Sequence, residues 1–237
     1  MSDASPADNH ARQHSQPTIS AAMEDYLKAI YRIQQDQDRV TTQALATELG
    51  LSSASVTNMV KRLADLSMVE HNRYYGVRLT EAGTKVALEV IRHHRLLELY
   101  LAEAMGFEWD KVHDEAERLE HHVSTEFETR MDELLGHPEY DPHGDPIPSR
   151  QGELPSSEWH PLNEEPAGST VVLRRVSDRD SDHLRFLTEI GMSPGVTFTV
   201  LESDSDSGDL QIGLDGATHR IPESLAGSMQ VERSDPD

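Results

Sequence analysis

From Ser20 onward, apolar residues recur at three- and four-residue intervals: Met23, Tyr26, Leu27, Ile30, Tyr31 and Ile33. That period lines one face of a helix, and Ser20 is a suitable N-cap for it. The polar run Asp36–Arg39 interrupts the pattern. Thr41 or Thr42 then caps a short helix that turns Leu45, Ala46 and Leu49 inward and stops at Gly50. Ser52 caps the next helix. Its Val56, Met59, Val60, Leu63 and Leu66 share one face, while Ser55, Thr57, Asn58, Lys61 and Arg62 occupy the other. Two short helices joined at a glycine turn are a helix-turn-helix candidate. MVEHNRYYGVRLT follows as two short strand-like runs around a basic, aromatic turn, the pattern of a wing with Arg73 at its tip.

The segment TEAGTKVALEVIRHHRLLELYLAEAMG carries apolar residues on more than one side, among them Val86, Val90, Leu97, Tyr100 and Leu101. A long helix packed on two sides is expected, which suits a dimer interface as well as a core. Gly106 ends it. Asp110 is placed to cap a further helix that runs to Leu135 and stops at Gly136. HPEYDPHGDPIPSR is rich in Pro and Gly and reads as an irregular loop; residues 149–165 have linker character. From Pro166 the period changes to two. STVVLRRV, TFTVLES, LQIGL and HRIP read as strands, and DHLRFLTEIGM as a short helix ending near Gly191. The expected architecture is mainly α. A disordered arm at 1–17 precedes a winged helix-turn-helix at 18–80. A helical domain at 81–148, the linker at 149–165 and a small SH3-like β-barrel at 166–233 follow.

Charge sharpens this division. The chain of 237 residues has a formal net charge of −22, and only four of its 21 basic residues are lysine. So many carboxylates suggest a protein kept soluble in concentrated salt, as in a halophile; an ordinary acidic protein is the alternative. The bias is uneven. Between residues 39 and 80 five basic residues face three acidic ones, whereas residues 150–237 carry 17 acids against seven bases. Polyanionic DNA is expected on the first segment and not on the second, although a helix-turn-helix can also serve protein contacts alone. SDSDSGD at 203–209 lacks the closing Glu of a calcium loop and reads as an acidic turn. There is no cysteine, so a metal site must use His, Asp, Glu or Met. No apolar run approaches the roughly 20 residues of a membrane span, and no signal-peptide core is present. The expectation is a soluble, cytoplasmic protein without a membrane partner.

The stretch HDEAERLEHHVS at 113–124 concentrates the candidate chemistry. Glu117, Glu120 and His121 stand at i, i+3 and i+4 and converge on one helical face, with His113 a turn earlier. Such O and N donors invite a divalent cation of the manganese, iron or zinc type. Taken alone, the stretch is equally an exposed acidic helix face. His94 and Glu98, also at i and i+4, offer a second pair of ligands or a helix-surface hydrogen bond. Glu117-x-x-Glu120-His121 comes near the H-x-x-E-H signature of inverted zinc proteases. Its first ligand is wrong and no distant third ligand is evident, so a hydrolase is the weaker reading and the chain is not expected to be an enzyme.

The order of these segments, with MEDYLKAIY at 23–31, SVTNMVKRL at 55–63, HHRLLE at 93–98, VHDEAERLEHHVS at 112–124 and DPHGDPIP at 141–148, resembles the diphtheria toxin repressor family. That family comprises iron-dependent and manganese-dependent transcriptional regulators. The resemblance implies a homodimer that binds double-stranded operator DNA with Mn²⁺ or Fe²⁺ as co-repressor, commonly at metal-uptake genes. It implies a primary site of Asp25, Glu117, Glu120 and His121, the oxygen-rich set of the manganese branch. It implies an ancillary site of His94, Glu98 and His113, as in the iron branch, with Asp180 and His183 added from the β-domain. The manganese branch has a carboxylate one turn after the first-helix Asp; here Lys28 stands there, which departs from that branch's close binuclear arrangement. The implied DNA contacts are Ser52, Ser55, Thr57 and Asn58 toward bases, and Ser53, Arg62 and Arg73 toward phosphates. The alternative is a winged-helix DNA-binding protein without a metal response.

Overall fold

The N-terminal helix α1 (Ala21–Gln34) buries Met23, Tyr26, Leu27 and Ile30, the apolar stripe of its sequence. The computed structural model describes residues 19–72, 75–204 and 206–234, so the expected arm at 1–17 and Arg73 lie outside the described residues. Thr41 caps α2 (Thr42–Leu49) by accepting the Ala44 amide, and Gly50 closes it at φ +64, a left-handed conformation that glycine adopts without steric cost. Ser52 caps α3 (Ser53–Asp65) by accepting the Ser55 amide. The wing is an antiparallel pair, β1 (Val69–Asn72) and β2 (Gly76–Leu79). Val40 joins it through reciprocal 2.8 Å backbone hydrogen bonds with Val77. A Cβ at Gly76 would lie 2.6 Å from the Val40 carbonyl, so this close approach requires glycine. Leu27, Ile30, Val40, Leu45, Val56, Val60, Leu63 and Val77 are fully buried and form the core of this unit.

The chain divides into two compact units between Thr84 and Lys85, within α4 (Glu81–Glu103). In the second unit, α5 (Val112–Leu119) leads into a 3-10 turn at Glu120–His122, and α6 (Thr125–Leu134) follows. The single helix expected from Asp110 to Leu135 is therefore two. Ser124 adopts extended geometry and accepts the Phe127 amide, so the local cap competes successfully with helix continuation. Leu96, Leu97, Leu99, Ala116, Met131 and Ile147 pack together between these helices.

The remaining segments form an SH3-like antiparallel sheet. Its strands are β3 (His160–Pro161), β4 (Thr170–Arg175), β5 (Thr197–Ser203), β6 (Leu210–Leu214), β7 (Ala217–Ile221) and β8 (Gln230–Arg233), in the order β3-β8-β4-β5-β6-β7. The helix α7 (Ser181–Glu189) and the short α8 (Glu223–Ala226) complete it. Asp215 and Gly216, both at positive φ, make the two-residue turn between β6 and β7. The end of the expected linker already belongs to this sheet: His160 pairs with Val231, and Leu162 is fully buried.

The DPHGDPIP loop docks onto β4 at close range. Gly144 has φ +85, and a Cβ there would sit 1.9 Å from the Arg174 carbonyl. The Val176 amide donates to the His143 carbonyl at 2.9 Å, and Arg175 Nε donates to Asp145 Oδ1 at 2.9 Å. Asp141 Oδ1 accepts the His143 and Asp145 amides at 2.9 Å each, which fixes the shape of the loop. Trp109 Nε1 donates to Thr188 Oγ1 of α7 at 2.6 Å.

Candidate metal centre

The i, i+4 spacing on α4 puts His94 and Glu98 on one buried face, with His94 Nε2 3.0 Å from Glu98 Oε1. α5 brings His113 to them: its Nδ1 lies 3.2 Å from both Glu98 Oε1 and His94 Nε2. The loop after β4 adds Asp178, whose Oδ2 lies 2.9 Å from His113 Nδ1. These four residues offer ligand atoms within 4.8 Å of one another. Burial alone would lower the His113 pKa, but hydrogen bonds to the Asp178 and Glu98 carboxylates prevail and raise it to about 10. Burial likewise opposes ionisation of Glu98; the charge of His94 and hydrogen bonds from His113 and His94 overcome it and hold the carboxyl well below its usual range.

A second group shares Glu98. Glu98, Asp141 and His143 are all buried and offer donor atoms within the same 4.8 Å. His143 Nε2 lies 2.8 Å from the Trp109 carbonyl, which only accepts, so Nε2 donates this hydrogen bond and Nδ1 faces the other way. Glu98 Oε2 and His143 Nδ1 are buried without a hydrogen-bond partner among the described residues and face each other at 3.9 Å. Burial, then the neighbouring Glu98 and Asp145 charges, raise the Asp141 pKa. Buried polar atoms that face one another without a hydrogen bond are costly unless a cation or proton lies between them.

On the other side of His94, its Nδ1 meets Glu120 Oε2 at 2.6 Å with both side chains buried. His94, Glu117 and Glu120 form a further group within 4.8 Å, and His121 Nε2 lies 3.5 Å from Glu120 Oε1. The turn at Glu120–His122 thus presents Glu120 next to Glu117 of α5, with His121 beside Glu120, whereas His122 is exposed. Asp25 lies half-buried on α1 of the first unit.

Of the β-domain residues, the structure brings Asp178 rather than Asp180 or His183 to the His94 group. Asp180 is the N-cap of α7; its Oδ1 accepts the Asp182 and His183 amides at 3.0 and 3.3 Å. His183 Nδ1 lies 3.5 Å from Asp180 Oδ2, and this pair stands apart from the His94 group. A cap commits the Asp180 carboxylate to the helix end, and Asp178, two residues earlier, takes the place beside His113. Asp141, His143 and Asp178 were missed as donors. The first two lie in DPHGDPIP, whose Asp-x-His spacing was a usable signal; Asp178 sits in an irregular loop that offers none.

In the first unit, Ser52, Ser53, Ser55, Asn58, Lys61 and Arg62 are exposed along α3. The Ser52 and Ser55 hydroxyls lie 3.0 Å apart at the cap, and Thr57 Oγ1 donates back to the Ser53 carbonyl at 2.7 Å.

Three family models match this chain in sequence. They are the iron dependent repressor N-terminal DNA binding domain over residues 18–77, the iron dependent repressor metal binding and dimerisation domain over 80–149, and the FeoA domain over 160–233. The iron-dependent repressor IdeR of Mycobacterium tuberculosis (strain H37Rv) is 31% identical over 225 residues, covering 89% of this chain and 96% of the relative. The chain belongs to the iron-dependent repressor family. Within that family, the diphtheria toxin repressor of Corynebacterium glutamicum is 29% identical over 220 residues, 89% of this chain and 95% of its own. A solved manganese-dependent transcriptional repressor in complex with manganese is 37% identical, with a TM-score of 0.83 over 90% of this chain and 100% of its own. ScaR with bound Zn²⁺ is 32% identical, with a TM-score of 0.76 over 90% and 99%.

Proposed function

We propose that this iron-dependent repressor family member is a metal-dependent transcriptional repressor. It binds operator DNA as a homodimer in the cytoplasm, with Mn²⁺ or Fe²⁺ as co-repressor. The observation that carries the reading is the set of buried carboxylates and imidazoles around His94 and Glu98, of which Glu98 Oε2 and His143 Nδ1 have no hydrogen-bond partner among the described residues, in a chain that also holds a winged helix-turn-helix. Residues and cation fit: the donors are carboxylate oxygens and imidazole nitrogens, which suit Mn²⁺ and Fe²⁺. Asp25, Glu117, Glu120 and His121 are assigned to the primary site. His94, Glu98, His113 and Asp178, with Asp141 and His143 adjoining, are assigned to the second. When bound, the cation supplies the positive charge that holds these carboxylates together.

The chain's own groups do the rest. His94 couples the two sets, because one ring nitrogen meets Glu120 and the other Glu98. The Trp109 carbonyl holds His143 in the orientation that turns Nδ1 inward. The family's mechanism couples metal occupancy to DNA binding. By linkage, DNA must then tighten metal binding by the same factor by which metal tightens DNA binding. α3 offers hydroxyl and amide groups near its N-terminus for base edges, and Arg62 for phosphate. Among the described residues no helix is long and apolar enough to cross a membrane.

Fluorescence anisotropy on the promoter of a metal-uptake gene, run with Mn²⁺, with Fe²⁺ and with chelator, tests the reading. Binding is expected with metal and not with chelator; equal affinity in both would overturn it.

A further inference from the structure

The corner between α2 and α3 holds a side-chain pair that neither cap nor core requires. Ser53 Oγ donates to Gln43 Oε1 at 3.3 Å, and both residues are exposed. Thr41 already caps α2 and Ser52 already caps α3, so the pair is not part of either cap. A carboxamide whose oxygen is engaged in this way is held in orientation and presents its two Nε2 hydrogens outward. Among the described residues no acceptor meets them. In a helix-turn-helix the first helix crosses the sugar-phosphate backbone, while the start of the second reaches base edges. Gln43 is the second residue of α2, in a segment spared the acidic bias of the chain.

We propose that Gln43 donates a hydrogen bond from Nε2 to a DNA phosphate oxygen, and that Ser53 holds its carboxamide in place. Gln43 thereby sets the register of α3 in the major groove without reading sequence. The inference rests on the DNA-binding reading above.

The test uses the full chain with Mn²⁺ and a duplex that the wild-type protein selects from a random 30-base-pair library. Gln43→Ala is expected to weaken binding about a hundredfold per dimer, two amide-to-phosphate hydrogen bonds being lost, with no change in salt slope because an amide releases no counterion. Gln43→Glu separates bracing from contact. Its carboxylate still accepts the Ser53 hydroxyl but has no donor and repels phosphate, so it should bind more weakly than Gln43→Ala, most of all at low salt. Gln151→Glu, which adds the same charge at an exposed loop position, serves as the control. Wild-type affinity in Gln43→Glu would overturn the proposal by reducing the pair to a brace. Altered base preference at one operator position in Gln43→Ala would overturn it in favour of a base contact. Failure of the wild-type protein to select any duplex with Mn²⁺ would instead remove the DNA-binding reading itself.

Discussion

Replacing Gly144 by alanine tests how the β-domain is held to the metal-binding helices. Gly144 has φ +85, where an L-residue costs about 1–2 kcal/mol. The new Cβ would stand 1.9 Å from the Arg174 carbonyl oxygen and 2.8 Å from its carbon, both backbone atoms that cannot swing aside. Relief requires the DPHGDPIP loop and β4 to separate by more than 1 Å. That stretches the 2.9 Å hydrogen bond from Val176 to His143 and the 2.9 Å bond from Arg175 to Asp145. Losing these adds about 1–2 kcal/mol, since the first is a net backbone hydrogen bond and the second is partly exposed. The expected destabilisation is thus about 2–4 kcal/mol. Gly136→Ala is the control: Gly136 has φ +75 with nothing within 4 Å of its Cβ, so only the conformational cost of about 1–2 kcal/mol applies. Urea unfolding of both variants gives the difference. Limited proteolysis should show the β-domain of Gly144→Ala released early, and Mn²⁺ titration should show loss at the Asp178 site. If the two variants fall within 0.5 kcal/mol of each other, the docking argument is wrong.

Asp178 and Asp180 should separate cleanly by calorimetry. Asp178→Ala is expected to lower Mn²⁺ affinity at the second site, whereas Asp180→Ala should cost about 1 kcal/mol of stability as a lost cap and leave that affinity unchanged. The same titration with Asp180→Ala weaker in metal than Asp178→Ala would reverse the assignment. The His113 pKa of about 10 lies above the roughly 6.5 of an unfolded histidine, so its proton stabilises the metal-free fold fully below pH ~6.5. That contribution is lost as pH rises through 10. A cation bound there displaces the proton, so affinity should rise with pH between 6.5 and 8.5; absence of buffer-dependent proton release in calorimetry would contradict this. At Asp132, burial opposes ionisation, but hydrogen bonds from His137 and Arg92 lower the pKa. Its stabilisation is complete above the unfolded aspartate pKa near 3.9 and is lost as pH falls through the depressed folded value. Asp132→Asn should lower the urea midpoint at pH 7, and the gap to wild type should narrow between pH 4 and 2; a gap independent of pH would count against the pairing.

The local pattern of this chain determined a good deal. Thr41, Gly50 and Ser52 punctuate the helix-turn-helix where their backbone preferences demand it, and the stripe Met23, Tyr26, Leu27, Ile30 is the buried face of α1. Asp215-Gly216 announces a hairpin for the same reason: its turn type is a property of two residues. Helical spacing was enough to associate His94 with Glu98, whereas Glu120 and His121 lie beyond the end of α5 in a 3-10 turn that the spacing did not announce. Competition was harder to read. Ser124 interrupts an apolar period that would otherwise continue, because its side chain satisfies the amide of Phe127. Hardest of all was convergence between distant segments. Whether Asp178 or Asp180 reaches His113 depends on where β4 lies against the DPHGDPIP loop, and a Gly144–Arg174 contact across 30 residues sets that position. The facing of Glu98 Oε2 and His143 Nδ1 depends on the same packing. Periodicity records which side of an element is buried; only tertiary structure decides which buried atoms meet, because that choice is made by contacts far apart in the chain.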